Sequence, residues 1–401
     1  MRIAFLNSSR WREGGREVYL HTVMPALTRL GHEVSLCYET DFDCDREPIE
    51  LPQDAPAWCL SQLGVERTLR AVREWRPDVI YSQDVGDIEF ESELLKIAPS
   101  VFFAHAYYGT CISGSKAFTQ PIPRPCHRQF GWQCTLQFYP KRCGGMNPFT
   151  MLSLFRNQTN RLQLLQKYRA VITHSEYMRE EYIRHGIPPS RVLLTPYCVE
   201  PLHSDGVGTD KSSGEWRLVF AGRMDKLKGG LLLLRALPLV RSAAAGRKVH
   251  LAFAGDGPER KTWESAATKL NCSTSDVHVE FCGWLKGAEL GALLSRSHLL
   301  VVPSVWPEPF GIVGVQAASL GIPTAAFDVG GIPTWLGDGV TGHLAPGDPP
   351  TPEGLADAIL KCLADNSHYL DLCRGAAEMA NRFTVQAHVN ELVRFLEAAI
   401  A

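Results

Sequence analysis

A chain of 401 residues, 45% hydrophobic and 21% charged, is long enough to bury large cores and of a size that divides into two domains. Its 41 Lys+Arg against 43 Asp+Glu leave a net charge of −2, which removes any global electrostatic case for nucleic acid. No uninterrupted apolar run reaches the roughly 18 residues of a membrane-spanning helix.

The opening MRIAFLNSSRWREGG has an apolar core of only Ile3 to Leu6, too short for a signal-peptide centre. It reads as a first buried strand, so a cytoplasmic location is expected. The 12 cysteines do not argue for export, because a chain this long has core enough without disulfides.

Apolar runs then alternate with helical patterns twice over. The first set comprises residues 2–6, 33–38, 78–81, 100–105, 170–174 and 191–197. The second comprises 217–221, 250–254, 278–281, 298–303, 324–327 and 342–345. Runs that are apolar throughout, rather than alternating, imply parallel strands covered on both faces. Helical patterns lie between them, as at 17–30, 229–244 and 287–295. Two such sets predict two doubly wound α/β domains, with ligands beyond the carboxyl ends of the strands and therefore in the cleft between them. The expected division is 1–200, a polar linker over 201–215 (HSDGVGTDKSSGE at its centre), 216–382, and a last helix over 383–401 that returns to the first domain.

The stretch from Val301 to Pro346 is the most informative. A buried strand runs into Pro307-Glu308-Pro309-Phe310-Gly311, a helix follows, and a second strand ends in Gly330-Gly331. A strand, a turn and a helix start present free amides to an anion, and Glu308 in that turn can meet hydroxyl groups. Together they suggest a sugar attached to a phosphate. Earlier, strand 218–221 leads into Gly222-Arg223, with Lys228-Gly229 opening the next helix. Arg223 supplies a planar fork and Lys228 a mobile charge, and both follow a buried strand. We read them as a pyrophosphate clamp rather than as two solvated cations. Gly14-Gly15 before a helix lets backbone approach a ligand, although such a pair also makes a plain tight turn. Gly257-Pro258 reads as a helix entry with Pro at the first helical position. His105, closing SVFFAH, is open to a structural or a functional role.

Gly14-Gly15, GHEV at Gly31 to Val34, AGRMDKLKG at Ala221 to Gly229, and EPFGIVGVQAASLGIP with Gly330-Gly331 resemble the retaining family 4 glycosyltransferases of GT-B fold, glycosyl transferases group 1. The resemblance runs in order from residue 1 to about residue 347 and is stronger in the second half. It implies an α/β GT-B chain of two doubly wound Rossmann-like domains facing across a cleft. By that resemblance Arg223 and Lys228 hold the donor diphosphate without a metal, and Glu308 contacts donor-sugar hydroxyls. The amides of Phe310, Gly311, Ile312 and Val313 hold phosphate and sugar oxygens, with Gly222 beside them. Gly14 and Gly15 approach from the other domain, and His105 sits near sugar and acceptor. Gln316 stands where the family has a ribose-gripping glutamate, and an amide binds hydroxyls less strongly than a carboxylate. Pro196-Tyr197-Cys198-Val199-Glu200 departs from the family's Asn-Gly-Val-Asp pattern.

The implied reaction moves a hexosyl group from a UDP- or GDP-sugar to an acceptor hydroxyl with retention, in polysaccharide or glycoconjugate synthesis, with no cofactor and no metal site. The leaving phosphate helps to deprotonate the acceptor, and no covalent nucleophile is needed. The acceptor is open: a glycan, a lipid-linked molecule or a small molecule. A nucleotide-sugar epimerase or hydrolase and a non-catalytic nucleotide-sugar-binding subunit are the rivals.

After His105 comes an insert carrying Cys111, Cys126, Cys134 and Cys143, with 14, 7 and 8 residues between them. These spacings fit no common zinc signature, so zinc, a disulfide pair and separate thiols all stay open. Its cations Lys116, Arg124, His127, Arg128, Lys141 and Arg142 suit an anionic acceptor or a plain solvated loop. Residues 150–168 carry Met151, Leu154, Phe155, Leu162 and Leu165 opposite Arg156, Arg161 and Lys167. That pattern gives either a domain helix with a wet face or a peripheral membrane contact.

Overall fold

The structure is a computed structural model, and it describes residues 1–12, 14–41, 47–202, 214–244, 246–273 and 275–401. Most of the expected linker (203–213) lies outside the described residues.

In the first half, strands β1 (Arg2–Ser9), β2 (Glu33–Thr40), β3 (Ala57–Cys59), β4 (Val79–Ser82), β5 (Ser100–Phe103), β8 (Ala170–Thr173) and β9 (Val192–Leu194) form one sheet, the insert holding the separate pair β6 (Ala117–Phe118) and β7 (Arg124–Pro125). The large sheet is parallel throughout, in the order β3-β2-β1-β4-β5-β8-β9. The second half repeats the design. Strands β10 (Glu215–Ala221), β11 (Lys248–Ala254), β12 (Val277–Gly283), β13 (Leu299–Val302), β14 (Thr324–Phe327) and β15 (Gly342–Ala345) make a parallel sheet ordered β12-β11-β10-β13-β14-β15. Continuous apolar runs made these strands: Phe5, Tyr81, Phe102, Leu218, Leu299 and Ala325 are fully buried, as strands covered by helices on both faces must be.

In each sheet the strand order reverses beside the first strand, and at that switch point the following loops splay apart to leave a crevice. In the second sheet the switch lies between β10 and β13. The loops leaving those two strands are the ones that carry Arg223 with Lys228 and Glu308 with Phe310. The first sheet switches between β1 and β4, and Gly14-Gly15 follows β1.

Several boundaries differ from the sequence reading. β5 ends at Phe103, so His105 lies two residues beyond the strand. β3 was not foreseen, being only three residues long. The helix after Gly257-Pro258 begins at Arg260, because Arg260 N–H closes a turn on Gly257 O (3.1 Å) and Glu259 N–H bonds Met224 O (3.0 Å). Helix Pro148–Leu165 does not keep Arg161 on a wet face: Arg161 is 4% exposed, 3.2 Å from Asp84 Oδ1 and paired with Glu91. Burial of a guanidinium demands such partners, which residue spacing cannot reveal.

The last helix, Val385–Ile400, packs on helix Gly15–Arg29 and on β4 and β5 of the first sheet. Its His388 Nδ1 donates to Pro196 O (2.8 Å), so Nε2 accepts from Tyr19 O–H (2.8 Å), which in turn meets Tyr81 O–H (2.8 Å). Burial lowers the His388 pKa to about 4, which keeps the ring neutral and this chain of bonds intact at neutral pH.

Candidate active site

Lys228 ends a short 3-10 turn, Lys226–Lys228, opened by Asp225, whose carboxylate accepts from Leu227 N–H at 2.9 Å. Gly229 follows at φ +73, where a Cβ would stand 1.8 Å from Pro303 O, so only glycine lets the β10 and β13 loops close on each other. That approach brings Lys228 Nζ to 2.6 Å from Glu308 Oε1. Ser304 Oγ donates to the same oxygen at 2.7 Å, and the Lys228 ammonium lies 5.0 Å from the centre of the Trp306 ring. Glu308 is 5% exposed, and both contacts use Oε1, leaving Oε2 for a ligand hydroxyl. Arg223 is exposed and has no acidic partner among the described residues.

Gly330 and Gly331 seat the Glu308 turn. A Cβ on Gly330 would stand 2.4 Å from Pro307 C, and Gly331 N–H donates to Glu308 O at 2.6 Å. Helix Ile312–Ala318 starts from Gly311 at φ +92. The amides of Phe310, Gly311, Ile312 and Val313 donate to no backbone acceptor among the described residues, and Trp335 Nε1 fixes the Phe310 carbonyl at 2.6 Å. Unspent N–H groups at a helix start favour an anion. Across the cleft, a Cβ on Gly15 would stand 3.4 Å from Ile312 Cδ1, so the Gly14-Gly15 turn faces that helix start.

Gln316, one turn further along, lines a cavity of about 220 Å³ with Gly222, Gly255, Trp284, Leu285 and Val313. Gly255 at φ +135 would place a Cβ 2.0 Å from Gly222 O, so the loop after β11 needs glycine there to form this wall. The exposed Trp284 indole offers a flat apolar face at its rim. Trp284 escaped the sequence reading, although an aromatic directly after a strand-ending glycine was the available signal.

His105 engages both ring nitrogens, Nε2 with Gln83 Oε1 at 2.8 Å and Nδ1 with the Tyr197 hydroxyl. Its ring packs against Phe103 (4.9 Å), Tyr19 (5.7 Å) and His174 (5.7 Å). Burial, aided by nearby His174 and Arg16, pushes its pKa well below the usual histidine value, so the ring is neutral. Tyr197, from the segment that departs from the family pattern, links His105 to Phe310, whose ring lies 5.8 Å away. Tyr107, also missed, donates from its hydroxyl to Pro307 O at 2.7 Å and so ties the first domain to the Glu308 turn. No periodicity marks out Tyr107 from its neighbour Tyr108 in an insert.

Beside Gly15, Arg16 is held by Glu17 Oε1 (2.8 Å) and Ser8 Oγ (2.7 Å) and lies 3.9 Å from Asp84. Burial raises the Asp84 carboxyl to about 6 against the opposing pull of Arg161. The four insert cysteines are free thiols, and no three of them come within 4.8 Å of one another. Among the described residues only His250, His278 and Glu280 meet that spacing, near the amino ends of β11 and β12 and away from the cleft.

Two family profiles match: Glycosyltransferase Family 4 over residues 13–201 and Glycosyl transferases group 1 over residues 215–365. The chain spans about half the length of relatives such as the D-inositol 3-phosphate glycosyltransferase of Corynebacterium glutamicum (strain R), with 26% identity over 244 residues, 57% of each chain. It is similar over more of its length to the D-inositol 3-phosphate glycosyltransferase of Pseudarthrobacter chlorophenolicus, 29% identical over 379 residues, 91% of this chain and 85% of that one. In fold it matches Anabaena HepE in complex with UDP-glucose, with a TM-score of 0.66, 20% identity and coverage of 99% and 100%. With both halves matched in order and both sheets in place, the chain belongs to the family 4, group 1 glycosyltransferases of GT-B fold.

Proposed function

We propose that this protein transfers a hexosyl group from a nucleotide-diphosphate sugar to an acceptor hydroxyl, with retention and without a metal. One observation carries the reading most directly. The Lys228–Glu308 pair, Arg223 and the amides of residues 310–313, the last two without an acidic or backbone partner among the described residues, all stand on loops at one topological switch point.

In this reading Arg223 and Lys228 take the diphosphate, and the amides at 310–313 take the remaining phosphate and sugar oxygens. Two cations and a set of fixed dipoles stabilise the charge that grows as the bond to the anomeric carbon breaks. Glu308, held by Lys228 and Ser304, reads a sugar hydroxyl through Oε2. The cavity beside Gln316 and Trp284 takes ribose and base, and Gly14-Gly15 closes on the phosphate from the opposite side. His105 is neutral and already bonded twice, so it serves by shape and orientation rather than by proton transfer. The acceptor hydroxyl enters on the leaving-phosphate face and gives its proton to that phosphate. UDP is favoured over GDP as the carrier, since HepE, a neighbour in fold, holds UDP-glucose.

A thermal-shift screen against UDP-, GDP-, ADP- and dTDP-sugars tests the reading, because a bound donor raises the melting temperature in proportion to the logarithm of its excess over Kd. A shift with one donor that disappears in Arg223→Ala is the expected result. No shift with any of them counts against the donor site, and so against the transferase and the nucleotide-sugar-binding rival alike.

A further inference from the structure

From 94 to 175 the sequence holds no Asp or Glu at all, yet it holds ten Lys and Arg, in a chain whose total is 43 acidic residues against 41 basic ones. The structure spends several of those cations internally. Lys116 pairs with Glu181 (2.7 Å), Arg161 with Glu91 and Asp84, Lys96 with Glu93 (2.6 Å), and Arg124 with Asp348 (3.7 Å). Arg128, Lys141, Arg142 and Arg156 have no acidic partner among the described residues.

The same stretch carries the densest run of exposed large apolar side chains among the described residues. Trp132 (66%), Leu136 (61%), Met146 (58%), Phe149 (80%) and Leu152 (56%) all face solvent. They lie along two helices in contact and the loop that joins them. The short helix Gln133–Phe138 packs on helix Pro148–Leu165, with the loop between them pressed in: a Cβ on Gly144 would stand 2.6 Å from the Phe138 ring and 3.7 Å from Leu154 Cδ1. Phe138 and Leu154 turn inward, so Trp132 and Leu136, one helical turn apart, occupy the outer side of the first helix. Phe149, Leu152 and Arg156 follow at helical spacing on the second. Folded monomers rarely leave such a cluster bare without a partner.

We propose that this face seats the protein on an anionic lipid surface, with Trp132, Leu136, Met146, Phe149 and Leu152 entering the headgroup–acyl boundary and Arg128, Lys141, Arg142 and Arg156 meeting lipid phosphates. Charge complementarity chooses this occupant. A protein partner presents both signs of charge, which a stretch of ten cations and no acids matches poorly, whereas an anionic leaflet is negative throughout. The surface differs from the amphipathic face anticipated on residues 150–168, whose Arg161 is buried. It stands independently of the donor reading.

Flotation of the full chain with vesicles, in the absence of any nucleotide sugar, tests it. Binding to phosphatidylcholine–phosphatidylglycerol vesicles that weakens as salt rises, with little binding to pure phosphatidylcholine, is expected. Trp132→Ser with Phe149→Ser should cut the bound fraction about tenfold, and Lys141→Gln with Arg142→Gln should cut it chiefly at low salt. Circular dichroism and melting temperature should match the parent in both variants. Wild-type protein that ignores anionic vesicles overturns the proposal. So does binding that the first double variant retains, or a dimer in solution that the same variant converts to monomer without any vesicle binding.

Discussion

The ammonium of Lys228 and the carboxylate of Glu308, eighty residues apart in the chain, meet at 2.6 Å. Neither is a spectator of the other. Lys228 fixes the rotamer of Glu308, and Glu308 keeps Lys228 drawn toward the cleft before any ligand arrives.

Arg223→Ala and Lys228→Ala should therefore fail differently. Both remove a charge from the proposed diphosphate site, and kcat/KM for transfer should fall about 100- to 1,000-fold in each, the scale of losing one preorganised stabilising donor. Arg223 is exposed and pairs with no acid among the described residues, so its loss should leave the melting temperature unchanged. Loss of Lys228 strips a buried carboxylate of its partner and should cost about 1–3 kcal/mol of stability. Urea melts beside steady-state rates separate the two outcomes. Near-normal transfer in either variant would overturn the clamp.

Gln316 lines the cavity that we assign to ribose and base. Gln316→Ala should raise the donor KM about three- to tenfold, the size of one neutral hydrogen bond. Gln316→Glu should lower it, since a carboxylate accepts more strongly from a hydroxyl. Donor KM values that ignore both changes would remove Gln316 from the site.

Tyr107 O–H to Pro307 O, at 2.7 Å, joins the first domain to the residue before Glu308. Tyr107→Phe keeps the buried ring and deletes only that bond. Stability should drop by about 1 kcal/mol, and kcat should fall more than KM rises, because the orientation of Glu308 matters most in the transition state. An unchanged kcat would make the bond purely structural.

His388 is neutral in the folded chain, with its pKa lowered to about 4, against about 6.5 when unfolded. Between those values the unfolded state binds more protons, so stability falls as pH drops from 6.5 towards 4 and is fully present above that window. The loss from this one group is on the order of 3 kcal/mol. His388→Gln should flatten the decline in denaturation midpoint over that window by about one proton's worth, measured by urea melts at stepped pH. An identical slope would place the proton elsewhere.

The strands were legible because a strand covered on both faces must be apolar throughout: 324–327 and 342–345 coincide with β14 and β15. The final helix, with Val389, Leu392 and Leu396 on its buried side, was legible for the matching reason at a period of 3.6. Short elements were not. β3 and the β6–β7 pair have too few residues to show a pattern against their flanks. The motif residues Arg223, Lys228 and Glu308 could be named from order and spacing, since glycines and prolines around them mark turns after strands, and Gln316 from the family resemblance. Their partners could not. Ser304, Tyr107, Tyr197 and Trp284 are ordinary residues in linear order, and nothing local distinguishes them from neighbours that do no such work.

By itself, then, the sequence determined two doubly wound domains and which loops leave their strands toward a ligand, because burial and turn chemistry are written in local pattern. Only the tertiary structure decided that Lys228 is held by Glu308, that His105 spends both nitrogens on Gln83 and Tyr197, and that Arg161 is buried rather than wet. It also left five apolar side chains exposed along two helices in contact and the loop between them. Those outcomes depend on which distant groups share a low-dielectric space, and charge and hydrogen-bond partners are chosen there by distance in three dimensions, not by separation along the chain.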